Sequence, residues 1–315
     1  LRGLDDSIEE KLLPRICDYE GSRYRTDFWE NQNRSYEDAV ERVAMKKLLP
    51  PTGQRLIEVG GGFGRLVDLY RGYDQIFVTD YARTQLEEAQ RCLGPDERIT
   101  YVVADVYRLP FVDNLFDTLT MVRVMHHLVD VPAALRELRR IIRPGGVGVI
   151  EYASKFHLKS LLRWSLGRQA WSPFDQTPLE FVELNFDFHP AWMHRQFELA
   201  GLRITDIRTL SHYRLDFLKR RLPTWLLVKL DSLIQPTGQW WQLSPSVFVR
   251  AQADKAPQPP AGGGLFCCPH CGGTDFAHSR LPSAEGEVLL CQSCRYGWSF
   301  RHGIYDFKTP VRTPA

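Results

Sequence analysis

"LIEVGGGFGRL", residues 56–66, is an apolar run that passes an acid, Glu58, and breaks into glycines. The preceding apolar and β-branched residues make "QRLIEVG" (54–60) a strand. Glycines at its end let backbone N–H groups approach a ligand closely, because no Cβ stands in the way. A dinucleotide loop wants G-x-G-x-x-G, whose third glycine lets the helix pack tightly on the strand. Gly60 and Gly62 fit that spacing, but the third position is Arg65 and the glycine falls one place early, at Gly64. The dehydrogenase reading is weakened accordingly.

Outward from this loop the chain alternates strands and helices. "FGRLVDLYRG" (63–72) reads as a helix, "QIFVTD" (75–80) as a strand, "ARTQLEEAQRCL" (82–93) as a helix and "ITYVVAD" (99–105) as a strand. "FDTLTMVRV" (116–124) is the next strand, "PAALRELRRIIR" (132–143) a helix and "GVGVIEYA" (146–153) a strand. Such alternation implies parallel pairing with helices on both faces, a doubly wound α/β domain whose ligand lies at the carboxyl ends of the strands. Beyond residue 153 the rhythm changes: residues 154–190 are rich in Trp, Phe and basic side chains and read as an inserted helical cap. Helix 191–202, strand 203–213, a helical stretch 216–234 broken near Pro223, and strand 244–253 follow.

The 315 residues are 43% apolar and 25% charged with a formal net charge of +2, ordinary for a soluble globular protein and no demand for a polyanionic partner. No apolar run reaches the roughly 18 residues that span a bilayer. The opening "LRGLDDSIEEKLL" lacks the basic-then-apolar layout of a secretory signal, so a cytoplasmic location is expected. Of seven cysteines, Cys17 and Cys92 are isolated, while Cys267, Cys268, Cys271, Cys291 and Cys294 crowd the last fifty residues. In a reducing compartment, paired C-x-x-C clusters suggest metal ligands more than disulfides.

The pattern acid-x-G-x-G-x-G, here Glu58, Gly60, Gly62 and Gly64 with Gly61 between, resembles motif I of the class I S-adenosylmethionine-dependent methyltransferases. Further features fall where that family has them. The resemblance implies that Asp80 binds the ribose hydroxyls and that Tyr81 packs on adenine. It implies that Asp105 accepts from the adenine amino group, with the Val106 backbone facing the ring. "FDTLTMVRVMHHL" resembles the fourth strand and "IIRPGGVGVIE" the helix, Pro-Gly-Gly turn and fifth strand, and the similarity extends weakly to ubiquinone and menaquinone C-methyltransferases. The implied fold is a seven-stranded Rossmann-like sheet with an antiparallel last strand. Residues 1–50 are expected as a helical segment over the cofactor, with Tyr24 and Trp29 either closing the site or packing. The methyltransferase domain would span 51–253 with its cap at about 153–190, followed by a Pro- and Gly-rich linker, 254–264, and a terminal module, 265–315.

Methyl transfer from a sulfonium is an in-line displacement, so the protein contributes mainly alignment and exclusion of water. A base matters only when the acceptor must lose a proton, and His126 and His127, at the end of the fourth strand, are the candidates against a purely structural role. Arg123 is expected on the cofactor or substrate floor or in an ion pair, and Glu151 and Tyr152 at the mouth or in cap packing. No Asn-Pro-Pro-Tyr, Asp-Pro-Pro-Tyr or Pro-Cys follows the fourth strand, which disfavours amino-group transfer to adenine or glutamine and a cytosine-carbon mechanism. A small-molecule or lipid-like acceptor stands ahead. Lys155, Lys159, Arg163 and Arg168 in the cap, with Lys219, Arg220, Arg221 and Lys229, form basic amphipathic faces that suit solvent, an anionic membrane or RNA backbone. RNA is left open but not favoured.

Cys268-Pro-His-Cys271 and Cys291-Gln-Ser-Cys294 are two knuckles that together complete a four-sulfur shell for structural zinc, with Cys267 as an extra thiol and His270 as a knuckle residue. A module of this size has too little core to fold without its metal. With the "GIYDF" that follows, it resembles the small zinc-ribbon proteins that activate tRNA and translation-factor methyltransferases. The rivals to a small-molecule enzyme are therefore an RNA or translation-factor methyltransferase docking through the ribbon, and a non-catalytic scaffold.

Overall fold

The computed structural model describes residues 14–30, 34–258, 264–279 and 286–312. The opening segment weighed above as a leader lies outside the described residues, as do residues 31–33, 259–263, 280–285 and 313–315 of the segments assigned as lid, linker and ribbon.

Five parallel strands form the centre: β1 (Gly53–Val59), β2 (Tyr73–Asp80), β3 (Ile99–Val103), β4 (Phe116–Met121) and β5 (Ile142–Ala153). A short β6 (Leu179–Val182) and β7 (Asn185–Asp187) pair only with each other. β8 (Leu202–Leu210) and β9 (Ser246–Ala253) complete the sheet, with β9 antiparallel to β5, giving the order β3-β2-β1-β4-β5-β9-β8. The order reverses between β1 and β4, which opens a crevice at their carboxyl ends.

The sheet continues past β3. β10 (Phe276–Ser279), β11 (Glu287–Cys291), β12 (Tyr296–Arg301) and β13 (Ile304–Arg312) form an antiparallel ribbon, and β13 lies parallel against β3, with Ile304, Tyr305 and Asp306 opposite Tyr101, Val102 and Val103. The terminal module thus covers an edge that would otherwise expose unpaired backbone groups. Phe266 is wedged between Phe111 and Phe307, at ring separations of 5.7 and 5.0 Å, so the junction is part of the core.

Helices α1 (Ser35–Leu48), α2 (Arg83–Leu93) and α7 (Thr224–Ile234) contribute to one apolar layer; α3 (Val131–Ile141) and α5 (Pro190–Leu199) lie on the other. Between them in sequence stand α4 (Leu158–Ser165) and α6 (Asp216–Arg221). In α3 the apolar positions Val131, Ala134, Leu135, Leu138 and Ile141 recur at helical spacing and are buried, and Asp130 caps the N-terminus by accepting from Ala133 N at 2.9 Å. No described helix is long and apolar enough to cross a membrane.

Three expectations need correction. The helix expected over 63–72 is a series of tight turns with one short 3₁₀ segment, Val67–Leu69. Its bonds run from each N–H to the carbonyl three residues back, as from Gly64 to Gly61 and Val67 to Gly64. Gly64 has φ +77°, outside the right-handed helical region, and ordinary side chains rarely adopt it. The helical cap holds one eight-residue helix, α4, followed by irregular chain and the β6–β7 pair. The Pro-Gly-Gly turn lies inside β5: Phe116 faces Ile142 but Thr118 faces Val147, so extra residues bulge from β5, with Gly145 at φ +72°.

Candidate active site and cysteine cluster

At the carboxyl end of β1 the glycine loop turns under β2. Asp80 ends β2 and accepts two backbone hydrogen bonds, from Gly62 N to Oδ2 and from Ala82 N to Oδ1, both 2.9 Å. Burial pushes its carboxyl up to about 6, against the pull of these donors. Gly62 has φ +52°, and a Cβ placed there would meet no protein atom within 4 Å: the loop leaves open room on this side. A Cβ on Gly64, by contrast, would lie 2.7 Å from Leu93 of α2, so that glycine serves close packing.

The resulting cleft encloses about 830 Å³ including its open mouth, and its walls include Gly60, Gly62, Asp80, Tyr81, Asp105 and Val106. Asp105 accepts from Tyr107 N at 2.9 Å through Oδ1, and burial raises its pKa. Glu58 is buried behind the loop beside Gly61 and Arg65, and its Oε2 has no hydrogen-bond partner. Burial lifts this carboxyl to about 7, opposed chiefly by Arg65. A buried unpaired oxygen is costly, and this one leaves an acceptor position unfilled.

Over the loop lies a charge network that the sequence reading missed. Glu41 of α1, 2% exposed, binds Arg65 at 2.6 Å and also Arg123. Burial opposes its ionisation, but the two guanidiniums hold its pKa below the usual value. Trp29 covers the pair, its ring centroid 3.9 Å from the Arg65 guanidinium carbon and 4.9 Å from that of Arg123. Arg123 is thus both ion-paired and on the cavity wall. Its φ of +62° is backbone strain, held where its N–H donates to Glu151 Oε2 at 2.9 Å.

A second, polar cavity, about 1180 Å³ with its mouth, adjoins the first and shares Tyr19, Tyr24, Arg123 and His127 with it. Nδ1 of His127 lies 2.8 Å from Leu184 O, so that nitrogen carries the proton; Nε2 then accepts from the Tyr19 hydroxyl at 3.1 Å. Burial lowers the pKa of His127, and that of His126 more strongly, with His127, Arg123 and Arg34 adding to the effect. Both rings are therefore neutral at pH 7. His126 lines only the polar cavity, and its Nδ1 is buried without a partner. Glu151 also lines this cavity and accepts from Ser246 Oγ at 2.9 Å. Tyr152 does not reach the mouth: it is fully buried and bonds Gln242 at 3.0 Å, because alternate residues of β5 face opposite sides of the sheet. Tyr24 lies at both cavities, but Tyr19 was not singled out by sequence, since a lone tyrosine in an aperiodic segment carries no signal.

In the ribbon, Sγ of Cys268 lies 3.6 Å from that of Cys294, and Sγ of Cys271 lies 3.6 Å from that of Cys291. All four sulfurs fall within 4.8 Å of one another. A tetrahedral ion with metal–sulfur bonds of about 2.3 Å separates sulfurs by about 3.8 Å, so the set fits one ion. Cys267 turns away and donates to Phe111 O at 3.1 Å, and His270 stacks on Tyr296 at 4.1 Å. The ribbon also touches the cleft wall: Lys308 Nζ donates to Tyr81 O at 3.1 Å and sits 4.2 Å from the Tyr81 ring centre.

Residues 57–150 match the family model described as a methyltransferase domain. The demethylmenaquinone methyltransferase of Clavibacter sepedonicus is 32% identical over 115 residues, 36% of this chain and 47% of that one. The 2-methyl-6-phytyl-1,4-hydroquinone methyltransferase of a Synechocystis species is 26% identical over 215 residues, 64% of this chain and 61% of that one. The chain spans about half the length of the curated relatives it matches. Among solved structures, an S-adenosylmethionine-dependent methyltransferase from Mesorhizobium loti shares the fold, with a TM-score of 0.51 at 20% identity, over 69% of this chain and all of that one. Residues 57–150 thus match a methyltransferase-domain model, and the chain shares its fold with a solved methyltransferase.

Proposed function

We propose that the chain transfers a methyl group from S-adenosylmethionine to a small-molecule or lipid-like acceptor, and that its terminal ribbon holds structural zinc. The carrying observation is the junction of two cavities, one walled by Gly62, Asp80 and Asp105, the other polar, with Tyr19 and His127 shared between them. When bound, the cofactor supplies an electrophilic methyl group on a sulfonium sulfur. Asp80 has lone pairs left to accept from a ribose diol, Asp105 Oδ2 from an adenine amino group, and Glu58 from the α-ammonium group, while Tyr81 and Val106 border the base. Tyr24 borders both cavities from the N-terminal segment, while Trp29 packs over Arg65 and Arg123. Arg123, tied to Glu41 and Glu151, fixes the floor between the cavities.

Neutral His127 accepts from the Tyr19 hydroxyl and so can draw a proton from an acceptor hydroxyl through Tyr19, while His126, kept neutral by burial beside Arg123 and Arg34, lines the polar cavity as the weaker base. The relatives named for demethylmenaquinone and a phytyl hydroquinone support an acceptor with a ring and an apolar tail. Cys268, Cys271, Cys291 and Cys294 fill a four-sulfur shell and leave no open position, which suits zinc that folds the ribbon and takes no part in transfer. The test is incubation of the full chain with methyl-labelled cofactor and separated lipid, RNA and protein fractions of a cell extract. Label is expected in the organic-soluble fraction. Label confined to RNA or protein would replace the acceptor assignment, and label in no fraction would favour a scaffold.

A further inference from the structure

Among the described residues, eighteen large hydrophobic side chains are exposed; seven lie in residues 158–182 and eight in 215–243. Monomeric proteins rarely leave such concentrations uncovered. In α4 the exposed residues Leu158 and Leu162, with the C-cap Leu166, follow one another at intervals of four, an outward apolar stripe. In α7, Leu227 and Asp231 face inward, Asp231 accepting from the Tyr36 hydroxyl at 2.6 Å, while Trp225, Lys229 and Leu233 form the outward stripe. The short 3₁₀ turn Gln235–Gln239 leads from α7 to Trp240 and Trp241, 73% and 66% exposed. The two stretches meet where Leu158 N donates to Leu243 O at 3.1 Å.

Basic side chains outnumber acidic ones around this surface. Residues 158–182 carry Lys159, Arg163 and Arg168 against Asp175 and Glu180, the latter paired with Arg15 at 3.1 Å. Residues 215–243 carry four basic residues against Asp216 and the buried Asp231. Arg221 lies 4.2 Å over the Phe217 ring, and Arg220 and Lys229 are exposed. Leucine stripes flanked by tryptophan and basic side chains suit the interface of a bilayer, where rings sit at headgroup level and cations meet anionic lipid. RNA could stack on the exposed tryptophans but would leave the leucine stripes uncovered. A twofold self-contact would oppose the same cations to one another.

We propose that this face docks the protein on an anionic phospholipid surface. Its position suits delivery of an acceptor: His157, just before α4, with Phe181, Arg214 and Pro245, lines the polar cavity. An amphiphile anchored in the bilayer reaches that cavity with its head while its tail stays in lipid, a statement that rests on the acceptor assignment above.

The full chain is to be sedimented with vesicles of pure phosphatidylcholine and of phosphatidylcholine mixed with phosphatidylglycerol. Binding is expected to the anionic vesicles, with a blue shift of tryptophan emission and weakening by salt. Neutralising Arg220, Arg221 and Lys229 to Gln should weaken it roughly 100-fold, at about 1 kcal/mol per basic side chain. A Trp225→Ser, Leu233→Ser variant should lose the blue shift, and both variants should keep cofactor binding by calorimetry. Failure of anionic vesicles to bind the wild-type chain would overturn the proposal, as would equal binding to both vesicles, retention by an RNA oligonucleotide in their place, or concentration-dependent self-association covering the tryptophans. Cofactor binding is measured on the same preparation, so loss of vesicle binding with the cofactor still bound sinks the docking face alone, and the converse sinks the methyltransferase reading alone.

Discussion

The centre and one end of the continuous sheet are held by different means. β1 to β5 lie between two apolar layers, with Leu56, Ile57, Ile76, Phe77, Val102 and Leu119 almost wholly buried. β10 to β13 add Leu289, Trp298 and Phe307 to the margin of that same core, with four converging sulfurs and one parallel seam with β3. Fold stability comes from burial distributed over many residues in the first region and from a few concentrated contacts in the second. Loss of one contact is therefore absorbed in the centre and decisive in the ribbon.

Removing the ribbon's sulfurs attacks that contrast where the effect is largest. Cys271→Ser with Cys294→Ser, or a strong chelator, is expected to forfeit metal-linked stability of about 10 kcal/mol and to let trypsin trim the ribbon while the remaining domain resists. An unchanged melting temperature and digestion pattern would show that the ribbon stands without metal. Within the central region, Glu41→Gln removes the buried carboxylate that Arg65 and Arg123 share, leaving Arg65 only its pair with Asp38, and urea unfolding should show a loss of about 3–5 kcal/mol. A loss under about 1 kcal/mol would mean that Trp29 and solvent compensate.

A third test uses pH. Glu58 and Asp80, at about 7 and about 6, are both raised by burial, so the native state holds their protons more firmly than the unfolded chain. Their contribution to stability is complete below the ordinary carboxylate range and is lost as pH rises to about 7. A cofactor bearing an ammonium and a diol wants both carboxylates ionised. Affinity should fall about tenfold from pH 7 to pH 6, and Glu58→Gln should flatten that slope while stabilising the free protein above pH 7. A pH-independent affinity would remove Glu58 from the site. The smallest effect tests the seam between regions: Lys308→Ala removes the contacts to Tyr81 and a 3.3 Å pair with Asp18, and should weaken cofactor binding only a few-fold, at about 0.5–1 kcal/mol.

Legibility follows the same contrast. Strands such as 75–80 and helix 131–141 were readable because burial writes a periodic apolar pattern into sequence. The cysteine set was readable because one ion imposes short spacings. The turn series 63–72 misled because Leu66, Val67 and Tyr70 bury apolar side chains at helical spacing while the glycine backbone forbids the helix. The bulge in β5 and the β6–β7 pair arise from tertiary pairing that no local pattern announces. Glu41, Arg65 and Tyr19 were illegible for another reason: their partners lie 24 to 108 positions away, and single charged or phenolic residues look the same whether solvated or joined. The parallel seam of β13 with β3 belongs to this class too.

The central claim is that the crevice beneath β2 grips a nucleoside through Asp80. Titration calorimetry of the full chain with S-adenosylhomocysteine tests it most directly. One site per chain is predicted, weakened about 10- to 100-fold in Asp80→Asn, a substitution that keeps the shape but loses the charge-assisted acceptor. Absence of binding by the folded wild-type chain, or equal affinity in Asp80→Asn, would contradict the account.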